Sequence, residues 1–129
     1  MFRWIPKAAI IEIHKELILE HGGLQGAIAI RHELLDSTLA RPKQLEAYSN
    51  QVNIFVLAAS YGFGFAKNHC FSDGNKRIAL VSIDVCLQLN GYELTAEEVE
   101  AATVIEDLAA GKILEKELTV WIEENSIRQ

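Results

Sequence analysis

Between Ile78 and Leu89 every residue is apolar except Ser82, Asp84 and Gln88. A helix that is apolar all round must be covered on every side. The rest of a 129-residue chain therefore has to wrap around this segment. Asn90-Gly91 closes it with a favourable left-handed cap. Half of the residues are hydrophobic, enough to supply that cover in an ordinary globular domain.

The remaining segments read as helices. Pro6 suits the first turn of a helix, where its missing N–H costs nothing. Ile10, Ile13, Leu17 and Ile18 recur at helical spacing up to His21-Gly22-Gly23. Residues 22–30 read as a loop with a short extended piece. Glu33 to Arg41 reads as a short helix with Leu34, Leu35 and Leu39 inward, closed by Pro42, and a polar connector then runs to about Asn50. Val52, Phe55, Val56, Ala59 and Phe63 mark a helix over about 51–66. Thr95 and Glu98 form a capping-box pattern, which predicts a helix from about Ala96 to Ala110, stopped by Gly111. Leu114, Leu118, Trp121 and Ile122 give a last amphipathic helix. The expectation is one all-α domain over residues 1–129: six helices and no clear strand, with the buried central helix starting near Asn75.

Charge and composition exclude several roles. The net charge is −6, a poor start for non-specific binding to nucleic acid or anionic lipid, so no direct nucleic-acid binding is expected. No apolar run approaches the ~18 residues of a membrane span. The first six residues lack the apolar core of a signal peptide. Cys70 and Cys86 are too few for a disulfide framework. A reducing, cytoplasmic setting is expected.

Chemistry concentrates in residues 69–77: His69-Cys70-Phe71-Ser72-Asp73-Gly74-Asn75-Lys76-Arg77. Asp73-Gly74-Asn75 is turn chemistry leading into a helix. The first N–H groups of a helix have no internal partner and carry partial positive charge, which makes an anion site. Lys76 and Arg77 add two cations where a helix disfavours them, so a bound polyphosphate would compensate both. Asp73 is a hard oxygen ligand suited to Mg²⁺ riding on phosphates. The Asn75 amide can donate to a phosphate oxygen. His69 is the side-chain type suited to taking a proton near neutral pH. Phe71, flanked by polar residues, reads as the anchor of the loop in the core.

This string resembles the Fic motif, and its H-x-F-x-D-[G/A]-N-K-R form resembles the Doc branch of the Fic/Doc family, the death-on-curing toxins. His21-Gly22-Gly23, Leu34-Leu35 with Ala40-Arg41-Pro42, Ala66-Lys67-Asn68 and Asn90-Gly91-Tyr92 extend the resemblance over most of the chain. The resemblance implies a six-helix Fic core. It also implies a toxin of a toxin–antitoxin pair, a protein kinase that transfers the γ-phosphate of ATP to a threonine of elongation factor Tu and arrests translation. Carried over by position, His69 is the general base, Asp73 holds Mg²⁺, and Gly74, Asn75, Lys76 and Arg77 hold the phosphates. A Phd-like antitoxin is the implied restraint in trans, because no [S/T]-x-x-x-E-[G/N] inhibitory string occurs.

Two positions depart from the AMP-transferring Fic pattern. Lys76 stands where glycine usually leaves room for the nucleotide, and Leu80 stands where a second arginine usually clamps a phosphate. The alternatives are an AMP transferase acting on a protein hydroxyl, or a non-catalytic co-repressor that binds the antitoxin. The stretch from Ala27 to His32 lacks the Arg-Asp pair common in relatives. His14, His21 and His32 read as structural or solvated, Asp84 as a half-buried hydrogen-bonding residue, the acidic run from Glu93 to Glu106 as a solvated helix face, and Trp4 and Trp121 as core packing. Zinc on His69, Cys70 and Cys86 is disfavoured, since three scattered ligands make no site.

Overall fold

Ten of the fifteen residues from Ile54 to Asn68 are buried, and five of those are Ala, Ser or Gly between Ala58 and Gly64. Small side chains let neighbouring helices approach this one from several directions. The computed structural model describes residues 1–21 and 29–129. Among them the order is α1 (Lys7–Glu20), α2 (His32–Tyr48), α3 (Ile54–Asn68), α4 (Asn75–Leu89), β1 (Tyr92–Leu94), α5 (Glu98–Ala109), α6 (Glu115–Glu124) and β2 (Ser126–Arg128). The expected six helices are present in an all-α architecture. The expected central helix, α4, packs on α1, α3, α5 and β1, and it shares the centre with α3, which touches α2, α4, α5 and α6. Tyr61 and Phe65 of α3, Ile78, Ile83 and Leu87 of α4, and Leu35, Leu108 and Leu118 from their neighbours fill the core.

Several boundaries differ from the sequence expectation. Pro42 does not close a helix after Arg41: α2 runs through it to Tyr48, so the expected connector is helical. An internal proline removes one helical bond and costs about 3 kcal/mol. Tertiary contacts offset it here. Pro42 is itself buried, and Arg41 forks onto both carboxylate oxygens of Glu115 at 2.7 and 2.8 Å, tying α2 to α6. Leu34 points outward at 38% exposure, while Leu35 and Leu39 are buried. On α3 the residues Phe55, Val56 and Phe63 are only half-buried, because the helix is covered on a different side, through Leu57, Tyr61 and Phe65. Pro6 is the N-cap of α1 rather than a residue of its first turn.

The predicted capping box at Thr95 does not form, and α5 starts at Glu98. Thr95 is used elsewhere: its N–H and hydroxyl both donate to the Asn125 carbonyl, at 2.7 and 2.9 Å. That pair extends a two-stranded antiparallel sheet, which the sequence reading missed, with Tyr92 opposite Arg128 and Leu94 opposite Ser126. Gly91, at φ +86°, supplies the left-handed turn after α4. Asn90 beside it accepts from the Arg3 N–H at 2.8 Å and donates to the Arg3 carbonyl at 3.0 Å, so the chain's start is clipped to the end of α4. Trp4 and Trp121 pack against the core, as expected. Asp84 is half-buried and accepts from Gln88 at 2.9 Å, also as expected. Most of the loop read at 22–30 lies outside the described residues. Among the described residues no helix is long and apolar enough to cross a membrane.

Candidate active site

The chain leaves α3 at Asn68 and re-enters helix at Asn75, and the chemistry sits in the reversal between them. His69 caps α3 with φ 49° and ψ 54°. It is the one non-glycine residue of positive φ among the described residues. A left-handed conformation costs an L-residue roughly 1–2 kcal/mol, so the neighbours must hold it. Arg31 does so from outside: its Nη1 donates to the His69 carbonyl at 2.6 Å. Its backbone N–H also donates to the Cys70 carbonyl at 2.8 Å. Ala29 and Ser72 exchange two further bonds at 3.0 and 3.1 Å, and Ile30 bridges Phe71, which is the short extended piece expected before α2. From inside, Cys70 and Phe71 are buried, and Thr38 lies 3.3 Å from the Cys70 sulfur while accepting from Asn68 at 2.8 Å. With its backbone gripped on both sides, His69 itself stands exposed.

The second half of the loop is held by its own side chains. Asn75 closes a ring with Phe71: its Oδ1 accepts the Phe71 N–H at 3.1 Å and its Nδ2 donates to the Phe71 carbonyl at 2.8 Å. One amide hydrogen of Asn75 remains for a ligand. Asp73 Oδ1 accepts the Gly74 N–H at 2.8 Å, which leaves Oδ2 free of that bond. Gly74 has φ +78°, and a Cβ there would stand 2.9 Å from Ile18 Cδ1 and 3.2 Å from His14 Nε2. Both conformation and space therefore call for glycine. The first helical bond of α4 runs from the Ile78 N–H to the Gly74 carbonyl at 3.0 Å, so the N–H groups of Asn75, Lys76 and Arg77 stand ahead of it.

One cleft of about 670 Å³ is lined by all six predicted residues: His69, Asp73, Gly74, Asn75, Lys76 and Arg77. Lys67, Ser72 and Glu106 also face it. Lys67 donates to the Ala109 carbonyl at 3.3 Å, at the end of α5. Lys76 is ion-paired with Glu106 at 3.0 Å. Glu106 thus does more than solvate a helix face. Leu80, one turn beyond Arg77, is half-buried and brings no second cation. Among the described residues no three His, Cys, Asp or Glu side chains could hold a metal together, so zinc on His69, Cys70 and Cys86 is not assembled. The Asp73 carboxylate beside the open N–H groups of α4 and the cations Lys76 and Arg77 fits instead a Mg²⁺ that keeps its waters and rides on phosphates.

Sequence reasoning passed over two contributors. Arg31 carried no local signal, since its partner lies 38 positions away. His14 had one: it occupies the middle of the buried Ile10–His14–Ile18 stripe of α1, where a polar residue needs a reason. Its ring stacks on Phe71 with centroids 3.7 Å apart, beneath the motif loop.

The Fic/DOC family profile matches residues 4–87. Over 111 residues the chain is 30% identical to "Protein kinase doc" of Escherichia phage P1, a span that covers 86% of each protein.

Proposed function

Because the chain belongs to the Fic/DOC family, we propose that it is a Doc-type protein kinase, acting as one domain over its 129 residues. The observation that carries this reading is that one cleft is lined by the exposed His69 imidazole, the Asp73 carboxylate, the open N-terminus of α4 and the cations Lys76 and Arg77. Phosphoryl transfer needs position and charge neutralisation more than covalent chemistry, and these parts supply both.

The proposed roles join the family resemblance to the arrangement of the cleft. The triphosphate lies against the α4 N–H groups, with Lys76, Arg77 and the spare Asn75 amide hydrogen on its oxygens and the Gly74 backbone beside it. Asp73 holds Mg²⁺, which neutralises charge on the phosphates when bound. His69 accepts the proton of the target hydroxyl. The hydroxyl oxygen bonds to the γ-phosphorus as the bond to the β–γ bridging oxygen breaks, and ADP leaves. Lys76 in place of a small residue and Leu80 in place of a second arginine favour γ-phosphate transfer over AMP transfer. The family resemblance supplies the rest: a threonine of elongation factor Tu as target, translation arrest as the toxic outcome, a Phd-like antitoxin as restraint, and the cytoplasm as the setting.

The test is a transfer assay with the purified chain, Mg²⁺, elongation factor Tu and ATP labelled at the α or the γ position. Label passing from γ alone, and falling at least ~100-fold in His69→Ala, supports the kinase. Label from the α position identifies an AMP transferase. No label from either points to a different protein target or to a binding role, that of the non-catalytic co-repressor.

A further inference from the structure

His14 is 3% exposed, yet it is the polar member of the buried stripe of α1. Its ring lies face to face on Phe71, 3.7 Å between centroids and 8° between planes. Its Nε2 stands 2.7 Å from the Asp73 carbonyl oxygen. A carbonyl only accepts, so Nε2 carries the hydrogen. The other end of the same peptide is also held, because the Gly74 N–H donates to Asp73 Oδ1 at 2.8 Å. One peptide plane is thus gripped at its oxygen by α1 and at its nitrogen by the carboxylate of its own aspartate. That plane sets two things: where the Asp73 carboxylate points, and how Gly74 feeds the first N–H groups of α4.

We propose that His14 is a positioning residue for phosphoryl transfer. From α1 it fixes the Asp73–Gly74 peptide, and through it the Asp73 carboxylate and the anion-binding start of α4. The inference rests on the kinase reading of the cleft. Imidazole suits the post because it does two jobs from one side chain. A phenylalanine would supply the stack without the donor, and a glutamine would supply the donor without the stack. Stacking alone would leave the Asp73 carbonyl without its partner, and the Gly74 turn is too tightly packed against His14 and Ile18 to refit.

Those two substitutions are the experiment, made in the full chain. His14→Phe is expected to melt close to wild type, while amide exchange at Gly74 and Ile78, whose N–H groups bond to Asp73 and to the Gly74 carbonyl, speeds up about tenfold, the size of one lost hydrogen bond. Its kcat for γ-phosphate transfer should fall by about the same factor, with KM for the protein substrate unchanged. His14→Gln should recover most of the exchange protection and most of kcat. If the phenylalanine variant does not fold, His14→Met serves as the donor-free form. Wild-type exchange and kcat in a folded donor-free variant overturn the proposal, and so does a glutamine variant no better than the donor-free one. A wild-type chain that transfers no phosphate sinks the kinase reading instead. The exchange comparison then still decides whether His14 holds the loop.

Discussion

Lys76 Nζ lies 3.0 Å from Oε1 and 3.1 Å from Oε2 of Glu106, so α5 supplies the counter-charge for a cation set against the positive end of α4. The same ammonium is a proposed phosphate ligand, and it cannot serve both anions fully. The two side chains are 53% and 61% exposed, which limits the pair to about 1 kcal/mol or less. A triphosphate with Mg²⁺ outcompetes that. Glu106→Gln should therefore tighten Mg²⁺–ATP binding by about two- to fivefold, the factor such an energy allows. Calorimetric titration of the purified variant reads this directly. Unchanged or weaker binding would mean that Lys76 does not meet the phosphates.

Gly74→Ala tests whether the turn into α4 is built as described. The substitution forces an L-residue to φ +78° and brings a methyl to 2.9 Å from Ile18 Cδ1. The end of the isoleucine can give way, but the backbone conformation cannot. The loss should be about 1–2 kcal/mol, measured as a lower urea midpoint with an unchanged slope. A wild-type midpoint would show that the turn relaxes to negative φ.

The motif was legible because its parts are consecutive. Asp73-Gly74-Asn75 announces a turn, the apolar segment after it announces a helix, and the cations between them ask for an anion. The same holds for Phe71, whose isolation among polar residues marked it as an anchor, and it is 1% exposed. What escaped is what reaches across the fold. Pro42 breaks a helix by every local rule, and α2 continues because Arg41 finds Glu115 across 74 positions of sequence. Thr95 matches a capping box, and its donors go instead to Asn125 in a sheet of three-residue strands too short to leave a pattern. On α3 nearly every residue is small or apolar, so periodicity chose a face where the packing covers several. Glu106 looked like any acid on a solvated helix until α5 set it beside Lys76.

Buried ionisable groups predict the alkaline limit of stability. Burial pushes the Tyr61 hydroxyl up to about 12, although the bond from the Ile5 N–H works the other way. It pushes the Cys86 thiol up to about 12 as well, and raises Cys70. These groups stay neutral in the folded chain while their unfolded counterparts ionise. The unfolded state thus binds fewer protons at high pH, and stability falls as pH rises. Urea midpoints should hold steady to about pH 8, drop above about 9 as unfolded thiols ionise, and drop further above about 10 with the tyrosine. Cys86→Ala should flatten the first part of the fall. A midpoint unmoved up to about pH 11 would contradict the burial of these side chains.

Arg31 gives the last prediction, because it holds the backbone of His69 without facing the reaction. Its Nη1 donates to the His69 carbonyl at 2.6 Å, and this bond helps keep the residue at φ 49°. A charge-assisted bond to a carbonyl is strong in kind, but Arg31 is exposed, so its loss should cost no more than about 1 kcal/mol of stability. The backbone bond from the Arg31 N–H to Cys70 survives any side-chain change, so the segment stays docked. What changes is the left-handed turn, and with it the direction of the imidazole. Arg31→Ala should lower kcat about tenfold, since a displaced base loses the alignment on which proton transfer depends. KM for ATP should not move, because the phosphate donors sit on α4. A rise in KM at constant kcat would place Arg31 on the nucleotide, and no change in either would show that His69 keeps its geometry unaided.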